Sequence, residues 1–263
     1  MLSDAQVAAF VADGFVRVEA AFPRTLADEC RETVWRDLDA VPGDPSTWPT
    51  IASRPGYAQP PFVAAANTPR LHAAFDALVG RGRWVPRTSL GGFVIRFPSP
   101  EPSVVDGWHV DVSFPGPGSA GDDYMTWRAN IASKDRALQM FFLFSDVAED
   151  DAPTRLRAGS HRDTARVLAP EGEEGLDARE LARRADAASA HRPTALATGR
   201  AGDVYLCHPF LVHAGQPHLG ERPRFLAQPK LSPSGPHPER GAGVERPADA
   251  SPVETAIVQA LEP

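Results

Sequence analysis

Apolar and polar positions alternate in two different rhythms along this chain. In the first third they recur with helical spacing. Ser3-Asp4-Ala5-Gln6 forms a capping box, Val7, Phe10 and Val11 follow on one face, and Gly14 ends the helix. Phe15 to Val18 predicts a short strand with Val16 and Val18 on one side. Leu26, Cys30, Val34 and Leu38 form the stripe of a second helix. Val41 to Pro61 reads as a proline-rich connection. A third helix begins at Thr68-Pro69 and ends at Gly80, with Leu71, Phe75, Leu78 and Val79 on one face.

From Trp84 onward the rhythm changes to short apolar runs separated by turn residues. Strands are predicted at Phe93 to Phe97, Trp108 to Phe114, Leu138 to Val147, Asp203 to Cys207 and Arg224 to Leu231. One helix interrupts them at Asp177 to Ala188. Ser232 to Ser251 reads as loop, and a final helix starts at the capping box Ser251 to Glu254. Helices first and many short strands later point to a mainly β, α+β chain: a β-barrel or sandwich core buttressed by N-terminal helices. No boundary divides the sequence. The expectation is one domain over 1–263, with helical support and a first strand in 1–83, the β core in 84–231, and a loop with a short helix in 232–263.

Composition excludes several classes. A net charge of −7 argues against sequence-independent nucleic-acid binding, which needs a basic surface. Two cysteines, Cys30 and Cys207, are too few for a disulfide framework or a four-cysteine zinc site. The opening MLSDAQ has neither the basic nor the apolar part of a secretory signal, and no apolar run reaches membrane length. These features lead to the expectation of a cytoplasmic protein that meets neither membrane nor nucleic acid. The sequence gives no oligomeric state.

The chemistry concentrates in a few positions. In His109-Val110-Asp111 a strand would turn the imidazole and carboxylate to one face, away from Trp108, Val110, Val112 and Phe114. That spacing allows one strand to give a metal two ligands. His161-Arg162-Asp163 repeats the triplet without alternating apolar flanks, and reads as a loop-to-helix junction. Further on, His208, His213 and His218 are spaced by five. Two histidines and one carboxylate make the facial triad of non-haem Fe(II) oxygenases, with three positions left open. Either guanidinium of Arg222-Pro223-Arg224 could grip a dicarboxylate, and periodicity does not choose between them. His208 precedes Pro209 at a turn, and His218 reads as loop surface. Asp203 reads as a turn residue and Cys207 as a buried strand residue. The cluster Arg155, Arg157, Arg162 and Arg166 reads as a solvated face, with an anionic substrate as its functional alternative. The loops Ser99 to Asp106 and Pro115 to Asp123 flank the metal strand as a possible mouth.

Four segments in order resemble the phytanoyl-CoA dioxygenase-like Fe(II)/2-oxoglutarate oxygenases: LSDAQVAAFVADGFVRVEAAF, GWHVDVSF, SDVAEDDAPTRLRAGSHR and GDVYLCHPFLVHAGQPHLGERPRFL. The resemblance implies a double-stranded β-helix (jelly-roll, cupin-like) core, with Fe(II), 2-oxoglutarate and O2 as cofactor and co-substrates. It implies His109, Asp111 and His213 as iron ligands, and Arg224, eleven residues after His213, as the clamp on the far carboxylate of 2-oxoglutarate. The chain departs from the family with Ala158 where proline is usual, with Gln216 where asparagine is common, and with Pro217-His218. For the co-substrate's remaining contacts, Gln139 on the central strand is the polar candidate and Trp127 a second. The implied activity is hydroxylation of an unactivated C–H bond in a small organic molecule: a specialised metabolite, amino acid or acyl derivative. The rivals are a cupin-like metalloenzyme that does not use 2-oxoglutarate and a non-catalytic ligand-binding barrel.

Overall fold

A computed structural model describes residues 1–117, 123–234 and 250–262. The local signals hold where side chains set them. Helix α1 (Asp4–Asp13) has the Ser3/Gln6 capping box and stops at Gly14, whose φ of 85° suits glycine. In α2 (Arg24–Arg36), Ala27, Cys30 and Val34 are buried. Helices α3 (Pro60–Ala66) and α4 (Pro69–Val79) both open on proline, and Thr68 caps the second. Helix α5 (Ser160–Leu168) starts one residue before the second His-x-Asp triplet and holds all of it in its first turn. Helix α6 (Ala178–Ser189) is capped by Asp177, and α7 (Pro252–Leu261) by the Ser251/Glu254 box. None of these helices is long and apolar enough to cross a membrane.

The strands form antiparallel sheets. The largest has seven strands. It runs β1 (Phe15–Val18), β10 (Val204–Cys207), β6 (Leu138–Leu143), β12 (Arg224–Ala227), β3 (Leu90–Arg96) and β2 (Ile51–Tyr57), with β13 (Lys230–Leu231) also paired to β6. A second sheet is β11 (His213–Ala214), β7 (Arg155–Arg157) and β9 (Thr194–Leu196). A small third one joins β4 (Phe114–Pro115), β5 (Trp127–Ala129) and β8 (Leu176–Asp177).

The central strand β6 is buried along its whole length because it is covered on both faces. Met140 and Phe142 turn outward onto a core shared with Phe10, Cys30, Phe62 and Phe75 of the helices. Phe141 and Leu143 turn inward and pack with Tyr205, Cys207 and Leu226 against Leu156 of the second sheet and Leu211 just before β11. Helices outside and two facing sheets make the expected α+β jelly roll, whose interior holds the site.

Several local expectations are corrected. The connection Val41 to Pro61 contains a strand, β2, and the start of helix α3. Pro55 is tolerated because β2 lies at the sheet edge, where a missing N–H breaks no second ladder. Trp108 to Phe114 is not a ladder strand: apart from the last residue it is irregular, tied by a single His109–His213 bridge. Its alternation survives all the same, since Val110, Val112 and Phe114 are buried. Gln228-Pro229 divides the last predicted strand into β12 and β13. His218 is not surface loop; it is buried through a backbone bridge to Ser99. Most of the Ser232 to Ser251 loop and part of Pro115 to Asp123 lie outside the described residues.

Candidate metal centre

His109 and His213 face each other through two backbone hydrogen bonds, each N–H donating to the other's carbonyl at 2.9 Å. Their rings lie 4.4 Å apart, with Phe141 of β6 against His213 at 5.2 Å. Asp111 Oδ1 is 3.9 Å from His109 Nε2. One ligand atom from each of His109, Asp111 and His213 falls within 4.8 Å of the others, the one such group of potential metal ligands among the described residues.

Both histidines are held in the tautomer a metal requires. His109 Nδ1 donates to the Gly107 carbonyl at 2.8 Å, and His213 Nδ1 donates to the Leu211 carbonyl at 3.1 Å. Each Nε2 therefore keeps its lone pair. His213 Nε2 is buried and has no hydrogen-bond partner. Burial, with His109 beside it, pushes its pKa down to about 4, so this ring stays neutral and able to ligate at ordinary pH. Burial opposes charge on Asp111, but Arg136 and the two imidazoles outweigh it and hold the carboxyl below its usual range.

Arg224 enters the same interior from the first residue of β12, with its side chain buried. Nη1 donates to the Ala152 carbonyl, while Nε has no partner. Burial and the neighbouring Arg96 push its pKa down to about 9. Its Cα partner on β3, Arg96, is paired with Asp106; Arg224 has no carboxylate partner among the described residues. Arg222 lies before the strand begins and is exposed, so the burial that separates the two arginines comes from where β12 starts.

Gln139 points into the interior with its Oε1 taken by Arg136 and its Nε2 unpartnered. Trp127, on β5, packs 5.7 Å from the Tyr124 ring. His208 and His161 lie outside the triad and bond to backbone. His208 donates from Nε2 to the Val253 carbonyl and accepts at Nδ1 from Phe210 N–H, which uses both nitrogens. His161 is buried in α5 beside His208, with Nε2 on the Val11 carbonyl, and Asp163 pairs with Arg192. Asp203 accepts from Ala20 and Arg200 amides as a turn residue. Burial pushes the Cys207 thiol well up.

The arginine cluster is neither a bare face nor one site. Arg155 and Arg157 lie over the Trp108 ring at 4.8 and 4.1 Å. Arg162 donates to Val11, and Arg166 pairs with Asp163. Sequence reasoning missed Arg136 and Tyr124, which both touch Asp111. For Arg136 a signal existed: a charge two residues before a strand buried throughout needs internal acceptors. For Tyr124 there was none.

The sequence profile of the phytanoyl-CoA dioxygenase (PhyH) family matches residues 99–226, the segment that holds the triad and Arg224. No curated protein sequence matches the chain. Among solved structures, HygX from Streptomyces hygroscopicus, with nickel, 2-oxoglutarate and hygromycin B bound, is similar at TM-score 0.55 and 20% identity, over 89% of this chain and 88% of that one. The epimerase SnoN, in complex with Fe3+, alpha ketoglutarate and nogalamycin RO, is similar at TM-score 0.57 and 17% identity, over 94% of this chain and 91% of that one. SnoK, a carbocyclase from nogalamycin biosynthesis, is similar at TM-score 0.51 and 17% identity, over 88% and 84% of the two chains. These likenesses establish the shared fold, and the phytanoyl-CoA dioxygenase profile matches the segment, just under half of the chain, that carries the triad and Arg224.

Proposed function

We propose that this chain, acting as one oxygenase domain, binds Fe(II) through His109, Asp111 and His213, anchors 2-oxoglutarate with Arg224, and hydroxylates an unactivated C–H bond of a small organic molecule. The observation that carries the reading is a pair of unmet demands in one interior. Nε2 of His213 is a buried lone pair without a donor, and Arg224 is a buried cation without an anion. Two neutral nitrogens and one carboxylate oxygen suit Fe(II) and leave positions open.

When bound, the iron supplies O2 activation coupled to oxidative decarboxylation of 2-oxoglutarate to succinate and CO2. The chain's residues do the rest. Gly107 and Leu211 carbonyls keep both imidazoles in the ligating tautomer. Arg224 offers a fork of donors to the far carboxylate. Gln139 Nε2 offers a neutral donor to the carboxylate nearer the metal, with Trp127 as the second candidate contact. Phe141, Leu143 and Leu226 keep the interior dry. A small-molecule substrate agrees with hygromycin B and nogalamycin RO in the related structures. SnoN is described as an alpha ketoglutarate dependent epimerase and SnoK as a carbocyclase, so this fold also serves outcomes other than hydroxylation.

The test is succinate release from the Fe(II)-loaded protein with 2-oxoglutarate and O2, first without a prime substrate and then across a metabolite library with product analysis. If the iron-loaded protein neither binds nor consumes 2-oxoglutarate, the reading falls to a metalloenzyme that does not use it.

A further inference from the structure

Asp111 sits on a stretch with almost no ladder to hold it. In residues 107–113 the one strand-type pairing is the His109 bridge, and Ser113 N–H reaches Arg128. A carboxylate on such a segment is free to turn unless something else restrains it. Two side chains from outside the segment do so.

Arg136 is buried and uses its whole guanidinium here. Nη2 donates to the Val112 carbonyl at 2.8 Å, Nε to Ser113 Oγ at 3.3 Å, and Nη1 to Gln139 Oε1, while Nη1 also lies 3.6 Å from Asp111 Oδ2. Tyr124 approaches from the other side. Its hydroxyl accepts from Val112 N–H at 3.1 Å. The hydroxyl's single hydrogen can reach Asp111 Oδ1 at 3.3 Å or the Val112 carbonyl at 3.2 Å. That carbonyl already accepts from Arg136, and a charged acceptor makes the stronger bond, so the hydrogen goes to Asp111. The two carboxylate oxygens are thus held by different partners. Oδ1, 3.9 Å from His109 Nε2, faces the histidines; Oδ2 is turned to the guanidinium.

We propose that Arg136 and Tyr124 are positioning residues that restrict Asp111 to one-oxygen ligation, which keeps a coordination position open for 2-oxoglutarate; this rests on the Fe(II)/2-oxoglutarate reading above. A triad leaves room for a chelating keto acid and O2. A second oxygen from Asp111 would take one of those places. Released from its clamp, the carboxylate keeps or gains affinity for the metal and competes with the co-substrate.

The experiment uses wild type, Tyr124→Phe and Arg136→Lys. Each is titrated anaerobically with Fe(II) and then, at saturating iron, with 2-oxoglutarate, following the visible charge-transfer band of the chelate. Both variants are expected to keep iron affinity while needing roughly tenfold more 2-oxoglutarate, a second-sphere effect of ordinary size. Unchanged 2-oxoglutarate affinity in a folded variant overturns the proposal. So does weaker iron binding with normal 2-oxoglutarate affinity at saturating iron, because Asp111 would then have lost strength without changing its mode. If Arg136→Lys does not fold, Tyr124→Phe decides alone, since its ring is exposed and only one oxygen is removed. A wild type that binds iron but never 2-oxoglutarate overturns the underlying function, a result distinct from variants that behave like a competent wild type.

Discussion

Arg224→Met separates a structural arginine from one kept for a ligand, because the two roles predict opposite changes in stability. The side chain is 2% exposed and has one acceptor, the Ala152 carbonyl. Burial and Arg96 lower its pKa from the ordinary arginine range to about 9. At about 1.4 kcal/mol per pH unit, this gap means ~5 kcal/mol against the charged form in the folded protein. Losing a charge-assisted hydrogen bond to Ala152 costs about 1.5–3 kcal/mol in return. Methionine fills a similar volume without the charge. The ligand-free variant should therefore be about 2 kcal/mol more stable, within the range seen when buried ionic groups give way to apolar ones. For a chain of this size that raises Tm by roughly 4–8 °C.

The same substitution should weaken 2-oxoglutarate binding. Removing one partner of a buried pair costs roughly 3–5 kcal/mol, or about 100-fold and upward in Kd. The sign with pH follows from the lowered pKa. The penalty is complete below about pH 9 and fades as pH rises through 9 toward 12.5, so the wild-type and Met variants converge in alkali. Thermal melts with and without 2-oxoglutarate, and calorimetric titration of the Fe(II) protein, measure both effects. A Met variant that melts several degrees lower and still binds 2-oxoglutarate normally would refute the reasoning, because Arg224 would then be a structural residue.

Further outcomes follow from the same geometry. Replacing His109 or Asp111 with Ala should remove tight Fe(II) or Co(II) binding, measured by equilibrium titration, whereas His161→Ala should keep it, since that ring is bound to Val11. His213→Ala should abolish succinate release, while His208→Ala should retain turnover and lower Tm, because its two nitrogens tie Phe210 and Val253. Stability should fall on acidification: burial lowers the His161 pKa from 6.5 to about 4, and burial with His161 nearby pushes His208 down too. Below pH 6.5 the unfolded chain takes up protons that the folded one refuses, so His161 alone should remove ~2 kcal/mol between pH 7.5 and 5, and urea denaturation of His161→Gln should show a smaller loss.

What the sequence made legible was set by neighbours along the chain. The capping boxes at Ser3 and Ser251, the stop at Gly14 and the alternation Val110, Val112, Phe114 depend on residues a few positions apart, and all appear. The strand β2 was hidden by Pro55, which an edge position excuses, and an edge is a fact of topology. His218 was misread because its burial depends on Ser99, far away in sequence. Tyr124 reaches Asp111 from a separate turn, and no spacing rule joins them.

The buried arginines carry the argument furthest. Among the described residues four are buried: Arg96, Arg136, Arg157 and Arg224. Arg96 has Asp106, Arg157 has Asp186, and Arg136 has Asp111 with three further acceptors. An interior that supplies partners this consistently treats a buried charge as something to be neutralised. Arg224 alone has one carbonyl and an unpartnered Nε. It stands eleven residues after His213, whose own Nε2 is equally unmet. A fold that neutralises three of these four buried arginines, and leaves the fourth and the His213 nitrogen unmet in one interior, fits the proposed ligand, which brings a carboxylate to one end and a metal contact to the other. 2-Oxoglutarate has that shape and charge, which is why these two unsatisfied groups support the proposed chemistry.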